Sequence, residues 1–66
     1  MTELNRIKVV LREQNKTGVW LAQNLHKDVA TVSRWCSNKM QPSLETLFEI
    51  AYTLNIDVRE LINMSK

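Results

Sequence analysis

Residues 17–37, TGVWLAQNLHKDVATVSRWCS, decide the fold, because they hold two short helical segments separated by a very short connection. Thr17 can cap the first segment, since a threonine hydroxyl accepts a hydrogen bond from a free amide in the first helical turn. Asp28 can cap the second segment in the same way, and its charge favours a helix N-terminus. We therefore predict one helix ending near residue 25 and another from about 29 to 37, joined by a tight turn.

Three more helical segments flank this pair. The first is predicted from about Glu3 to Gln14, where apolar residues recur at the spacing of one helix face. Its apolar residues are Leu4, Ile7, Val10 and Leu11. Ser43 begins a fourth helix with a broad apolar face, comprising Leu44, Leu47, Phe48, Ile50, Ala51 and Leu54, with Glu45, Glu49 and Thr53 directed to water. Asp57 and Glu60 predict a capping box for a last short helix.

The composition is typical of a small all-α protein. The chain has 66 residues, 44% of them hydrophobic, with one glycine and one proline, and we expect one domain over residues 1–66. Cys36 and His26 are the only cysteine and histidine, too few for a disulfide or a zinc site, so no metal or cofactor is expected. No apolar run reaches the length of a membrane span, and the first eight residues lack a secretory pattern. We therefore expect a cytoplasmic protein.

Charge is unevenly distributed along the chain. Residues 5–41 carry seven basic and two acidic side chains, a net charge of +5, whereas residues 42–66 carry two basic and four acidic ones, a net charge of −2. A solvated surface can reach such values, but a basic half of this kind is typical of proteins that bind nucleic acid.

The third helix has two different faces. At 100° per residue, the first comprises Thr31, Val32, Trp35 and Cys36, and the second Ala30, Ser33, Arg34 and Ser37 with Val29 at its margin. Short side chains, one arginine and no acid suit a helix that enters a groove lined with phosphates, whereas a solvated helix would usually carry glutamate or lysine there. Arg34 can donate two parallel hydrogen bonds to a guanine edge, and Val29 or Ala30 can pack on a thymine methyl.

The chain resembles the Cro/CI-type (XRE) helix-turn-helix family of phage repressors and bacterial regulators. The matching elements are Asn5-Arg6-Ile7-Lys8, Trp20-Leu21-Ala22-Gln23-Asn24-Leu25, Thr31-Val32-Ser33-Arg34-Trp35 and Gln41-Pro42-Ser43-Leu44-Glu45-Thr46-Leu47. The resemblance implies a five-helix, lambda-repressor-like domain with its helix-turn-helix at helices two and three, which often binds double-stranded DNA as a homodimer.

Carried over by position, the resemblance also implies the DNA-contacting residues. The base contacts would be Val29, Ala30 and Arg34, with Thr31 and Ser33 reaching bases or backbone. The phosphate contacts would be Thr17, Gly18, Lys27, Ser37, Asn38 and Lys39. The chain departs from the family pattern at Gly18, where glutamine is common, at His26, where glycine is usual, and at Lys16, where an apolar residue is usual.

Two functional hypotheses remain. The first is a transcriptional regulator that dimerises through its apolar C-terminal residues Val58, Leu61, Ile62 and Met64, unless these only close the core of the monomer. The second is a protein-binding adaptor or antitoxin-like module, for which DNA binding is secondary or absent. It is suggested by Trp20, which lies off the main apolar face of its helix and either covers helix one or forms an exposed patch for a protein partner. An enzyme is not expected, because the sequence supplies no nucleophile with its base, no phosphate-binding glycine loop and no paired carboxylates.

Overall fold

The computed structural model describes residues 3–63 and confirms an all-helical fold. Its elements are α1 (Ile7–Glu13), α2 (Gly18–Leu25), α3 (Val29–Cys36), α4 (Leu44–Leu54) and a 3₁₀ helix (Val58–Leu61). Residues 3–63 therefore contain four α-helices, and not five, with a 3₁₀ helix as the last element. Asp57 caps the last segment by accepting a hydrogen bond from the Arg59 amide, and the chain turns extended at Ile62 after only four residues, which favours the tighter 3₁₀ form. None of these helices is long and apolar enough to cross a membrane.

The first helix starts later than predicted. It begins at Ile7, and Leu4 is 55% exposed and not part of the core. Asn5 instead forms an antiparallel bridge with Ile62, and its side-chain Oδ1 accepts a hydrogen bond from the Ile7 amide. The Asn38 side-chain Oδ1 also accepts hydrogen bonds from the amides of Leu4 and Asn5. This long-range pairing competes with helix formation.

One contiguous apolar core joins all five elements. The buried members are Ile7, Val10, Leu11, Leu21, Ala22, Val32, Trp35, Ile50, Ala51, Leu54 and Leu61. The predicted apolar face of α4 is only partly correct, because Leu44 and Phe48 are 68% and 55% exposed. Thr46 is buried in their place and takes a hydrogen bond from the Ser43 hydroxyl.

The helices end in left-handed residues that are not glycine. Asn15, His26, Asn38 and Asn55 all have φ near +60°, a conformation that asparagine and histidine tolerate better than most residues. His26 takes this conformation in the turn between α2 and α3, at the position where the family pattern usually has glycine, and α3 follows α2 after two further residues.

Candidate nucleic-acid interface

The helix α3 is held by its inner face and leaves its outer face open. Val32 is fully buried and Trp35 nearly so, while Ala22 on α2 is 1% exposed where the two helices meet. Both predicted caps are confirmed: the Thr17 side chain accepts from the Trp20 amide, and the Asp28 side chain from the Ala30 amide. The helix is therefore fixed at its start and along one side.

The predicted base-reading residues lie together on the outer face of α3. Val29, Ala30, Ser33 and Arg34 are exposed and Thr31 is half-buried. Within residues 3–63, the Arg34 guanidinium has no ion pair and no hydrogen bond. Its backbone carbonyl accepts hydrogen bonds from the Lys39 and Met40 amides, which fixes the end of the helix. A free guanidinium on an anchored helix can present its donors to a base edge.

A basic groove lies beside this face, between α1, the start of α2 and α3. Its lining includes three cationic side chains, Lys8, Arg12 and Lys16, and the start of α2 at 17–19. Ser33 and Ser37 line it from α3 and its C-terminal end, and none of the described residues that line it is acidic. Among the described residues, the Gly18 and Val19 amides have no hydrogen-bond acceptor. Three cations and free helix-start amides form a suitable place for a DNA phosphate.

Sequence reasoning missed the three cations of this basic groove. They recur every four residues along and just beyond α1, a spacing that places them on one helix face, and this signal was available in the sequence. The family resemblance assigns DNA contacts only to α2, α3 and the residues that flank them. Lys16 also holds its Nζ 4.7 Å from the centre of the Trp20 ring.

Trp20 is accounted for by packing. It is half-buried against the core and lies under the Lys16 ammonium, an arrangement in which a cation is attracted to the face of the ring. Trp20 therefore does not provide the exposed patch that suggested a protein-binding adaptor.

Asn38 does not fit the predicted phosphate contact. Its side chain is 7% exposed, and its Oδ1 accepts hydrogen bonds from the Leu4 amide, the Asn5 amide and the Gln41 side chain. Its Nδ2 donates to the Asn5 carbonyl. The residue is committed to joining the N-terminal segment to the end of α3, whereas Thr17, Lys27, Ser37 and Lys39 are exposed and Gly18 half-buried.

The comparisons with known proteins agree with this geometry. The helix-turn-helix family model matches residues 7–61. The chain belongs to the XRE-type helix-turn-helix family. It is also similar to a crystal structure described as "a putative DNA-binding protein from Bacteroides fragilis", with 58% sequence identity, a TM-score of 0.89, and coverage of 91% of this chain and 97% of that one. No protein of curated function matches it significantly.

This XRE-family chain has room for a side chain at Gly18. A Cβ there would lie 3.8 Å from Val32 Cγ1, an ordinary contact, and Gly18 does not have a positive φ. Gly18→Ala is expected to stabilise the fold by about 0.4–1 kcal/mol, because alanine reduces the freedom of the unfolded chain. Thermal melting would measure the shift. Gly18→Gln is the matched variant, expected to add a phosphate donor and bind DNA more tightly than Gly18→Ala; a lower melting temperature for Gly18→Ala would contradict the prediction.

Cys36 lines the basic groove as a small, half-buried side chain. Burial raises the pKa of its thiol, and the nearby Lys8 only partly opposes this effect. The thiol is therefore protonated near neutral pH and contributes packing to the groove wall.

The C-terminal residues predicted for a dimer interface divide between core and surface. Leu61 is fully buried in the monomer and Val58 is half-buried against the core, as expected if they close it. Ile62 is 37% exposed, and Met64 lies outside the described residues.

Proposed function

We propose that this XRE-family chain is a non-enzymatic transcriptional regulator, one domain over residues 1–66, that reads a specific double-stranded DNA sequence by inserting α3 into the major groove. The supporting observation is that Val29, Ser33 and Ser37 of α3 line the groove that holds the three cations, while Arg34 of the same helix has no ion pair among residues 3–63. The small exposed side chains at 30 and 33 allow α3 to approach the bases closely. The matched Bacteroides fragilis protein, described as DNA-binding, supports the same function.

The groove and the α3 face have separate tasks in this proposal. One sugar-phosphate strand is held by Lys8, Arg12 and Lys16 together with the Gly18 and Val19 amides. These contacts fix the register of the protein on the duplex. Ser37 contacts the backbone from the wall of the same groove, and Lys27 and Lys39 contact it beyond the two ends of α3. Arg34, Val29 and Ala30 then discriminate between base pairs, with Thr31 and Ser33 assisting.

We further propose a homodimer on two half-sites about 10 base pairs apart, or a multiple of that distance. The exposed part of Ile62, with Val58 and Met64 beside it in sequence, supplies a two-fold apolar contact. Such a contact is small, so DNA itself contributes to assembling the pair, and the two half-sites are bound cooperatively.

The test is to select duplexes from a random pool and titrate salt on the recovered operator. Because each neutralised phosphate releases counterions, Lys8→Ala is expected to weaken binding to all sequences similarly and reduce the slope of log affinity against log salt by about 1 per protomer. Arg59→Ala is the matched control, since that exposed arginine pairs with Asp57 outside the groove.

Two outcomes would refute the proposal. One is a pool that shows no enriched sequence, with binding that does not respond to salt. The other is an equal change in slope for Lys8→Ala and Arg59→Ala, which would mean that the basic groove does not receive the DNA backbone.

A further inference from the structure

The outward face of α4 carries an apolar stripe that the DNA-binding proposal does not use. Leu44, Phe48 and Tyr52 are spaced four residues apart and are 68%, 55% and 89% exposed. A groove between α4 and the end of α2 continues this surface, and its lining includes Leu25, Phe48 and Tyr52. Single exposed apolar residues are normal on protein surfaces, but a contiguous row with an adjoining groove is typical of a binding site.

The stripe is bordered by acidic residues. Glu45 and Glu49 follow Leu44 and Phe48 by one residue and are exposed, and neither forms a salt bridge within residues 3–63. The exposed arc of α4 contains no lysine or arginine. A surface with apolar and acidic halves side by side is complementary to a helix that carries apolar and basic residues in the same arrangement.

A second copy of this chain fits the stripe poorly. Two-fold packing of α4 on α4 would bring four glutamates together with no cation on either helix, and like charges at close range oppose association. The size also argues against it, since three such side chains offer on the order of 400 Å², about half of what one partner contributes to a stable interface. A single docked helix buries a similarly small area, so its complex is expected to be weak and reversible.

The stripe is separate from the basic groove. Its groove is lined at the C-terminal end of α2 by Asn24, Leu25 and His26, whereas the basic groove is lined at the N-terminal end of α2 by 17–19. The two grooves share no lining residue, and α2 is eight residues long, which separates its ends by about 12 Å.

We propose that the α4 stripe, Leu44, Phe48 and Tyr52 with Glu45 and Glu49, docks a cationic amphipathic helix of another protein. The partner's apolar side chains cover Phe48 and Tyr52, and its lysines or arginines pair with the two glutamates. Because the surface lies away from α3, the partner can be carried while DNA is bound. This inference adds a protein partner to the proposed function and does not depend on which operator is read.

The experiment uses two synthetic helical peptides of about 16 residues and the full chain. Both have leucines at the spacing of one helix face; one has lysines beside them and the other glutamates. Fluorescence anisotropy is expected to show saturable binding of the lysine peptide only, although the chain itself is net positive. Backbone NMR shifts should change at residues 44–53 and not on α3.

Variants separate the apolar and charged contributions. Tyr52→Ala is expected to weaken binding of the lysine peptide at least tenfold, while Val9→Ala, an exposed apolar residue on α1, leaves it unchanged. The double variant Glu45→Lys, Glu49→Lys should lose the lysine peptide and gain the glutamate peptide. DNA affinity of Tyr52→Ala should equal that of the unaltered chain, so failure here is distinct from failure of DNA binding.

Three results would overturn the inference. Equal binding of both peptides shows that charge plays no part. An unchanged affinity after Tyr52→Ala places the peptide elsewhere. Self-association that Tyr52→Ala abolishes, measured by sedimentation without DNA or peptide, assigns the stripe to a second copy of the chain.

Discussion

Replacing Asn38 with alanine is expected to destabilise the fold by about 2–4 kcal/mol, because the substitution leaves buried backbone groups without partners and forces alanine into a left-handed conformation. The affected groups are the Leu4 and Asn5 amides and the Asn5 carbonyl. For a domain of this size, such a loss is a large part of the total stability. Denaturant unfolding followed by circular dichroism would measure it.

A matched control isolates the hydrogen bonds from the backbone strain. Asn55 has φ of 58°, ends α4 and is exposed, so Asn55→Ala should lose only about 1–2 kcal/mol from the strain. Asn38→Gly should destabilise less than Asn38→Ala by the cost of the strain, about 1–2 kcal/mol, since glycine removes the strain but does not restore the lost hydrogen bonds. Equal losses for Asn38→Ala and Asn55→Ala would contradict the network described here. Lost DNA affinity without lost stability would restore Asn38 as a phosphate contact.

Arg34→Ala is expected to weaken binding to the selected operator by about 1–3 kcal/mol per half-site, the usual worth of an arginine that donates two hydrogen bonds to guanine. The preference for one base pair in each half-site should relax, while affinity for unrelated DNA changes much less. Affinity measurements on the operator and on all single-base variants of it would show both effects.

Arg34→Lys provides the sharper comparison. Lysine keeps the charge but has no planar fork of donors, so part of the affinity should return while the base preference stays relaxed. Arg59→Ala should leave both quantities unchanged. If Arg34→Ala lowers affinity equally for every sequence, Arg34 contacts a phosphate and another residue of α3 reads the base.

The features predicted well from sequence are those that depend on neighbours in the chain. Thr17 and Asp28 cap their helices as expected, because a cap and the amide it binds are two or three residues apart. The fourth helix begins next to Ser43 as predicted, with Ser43 as its cap. The tight turn predicted between the two helices is also present, with His26 in the left-handed conformation. The exposed face of α3 follows from its own periodicity.

The features predicted poorly depend on residues far away in the chain. Leu4 matches the stripe of a longer first helix, but the backbone there pairs with Asn38 and Ile62, which no local pattern reveals. Leu44 and Phe48 match an apolar face of α4, but α4 presents more apolar residues than its neighbours can cover. The family pattern assigns Asn38 to DNA by position, whereas its burial is visible only in the folded chain.

The pairing of Asn5 with Ile62 links segments that lie almost a whole chain length apart. During synthesis on the ribosome, the four helices can form as each leaves the exit tunnel, since their contacts are local. Residues 4 and 5 anchor the end of α3 through Asn38. This segment cannot complete its hydrogen bonds until residue 62 has left the tunnel. A nascent chain stalled before that point would therefore present a recognition helix whose far end is incompletely braced.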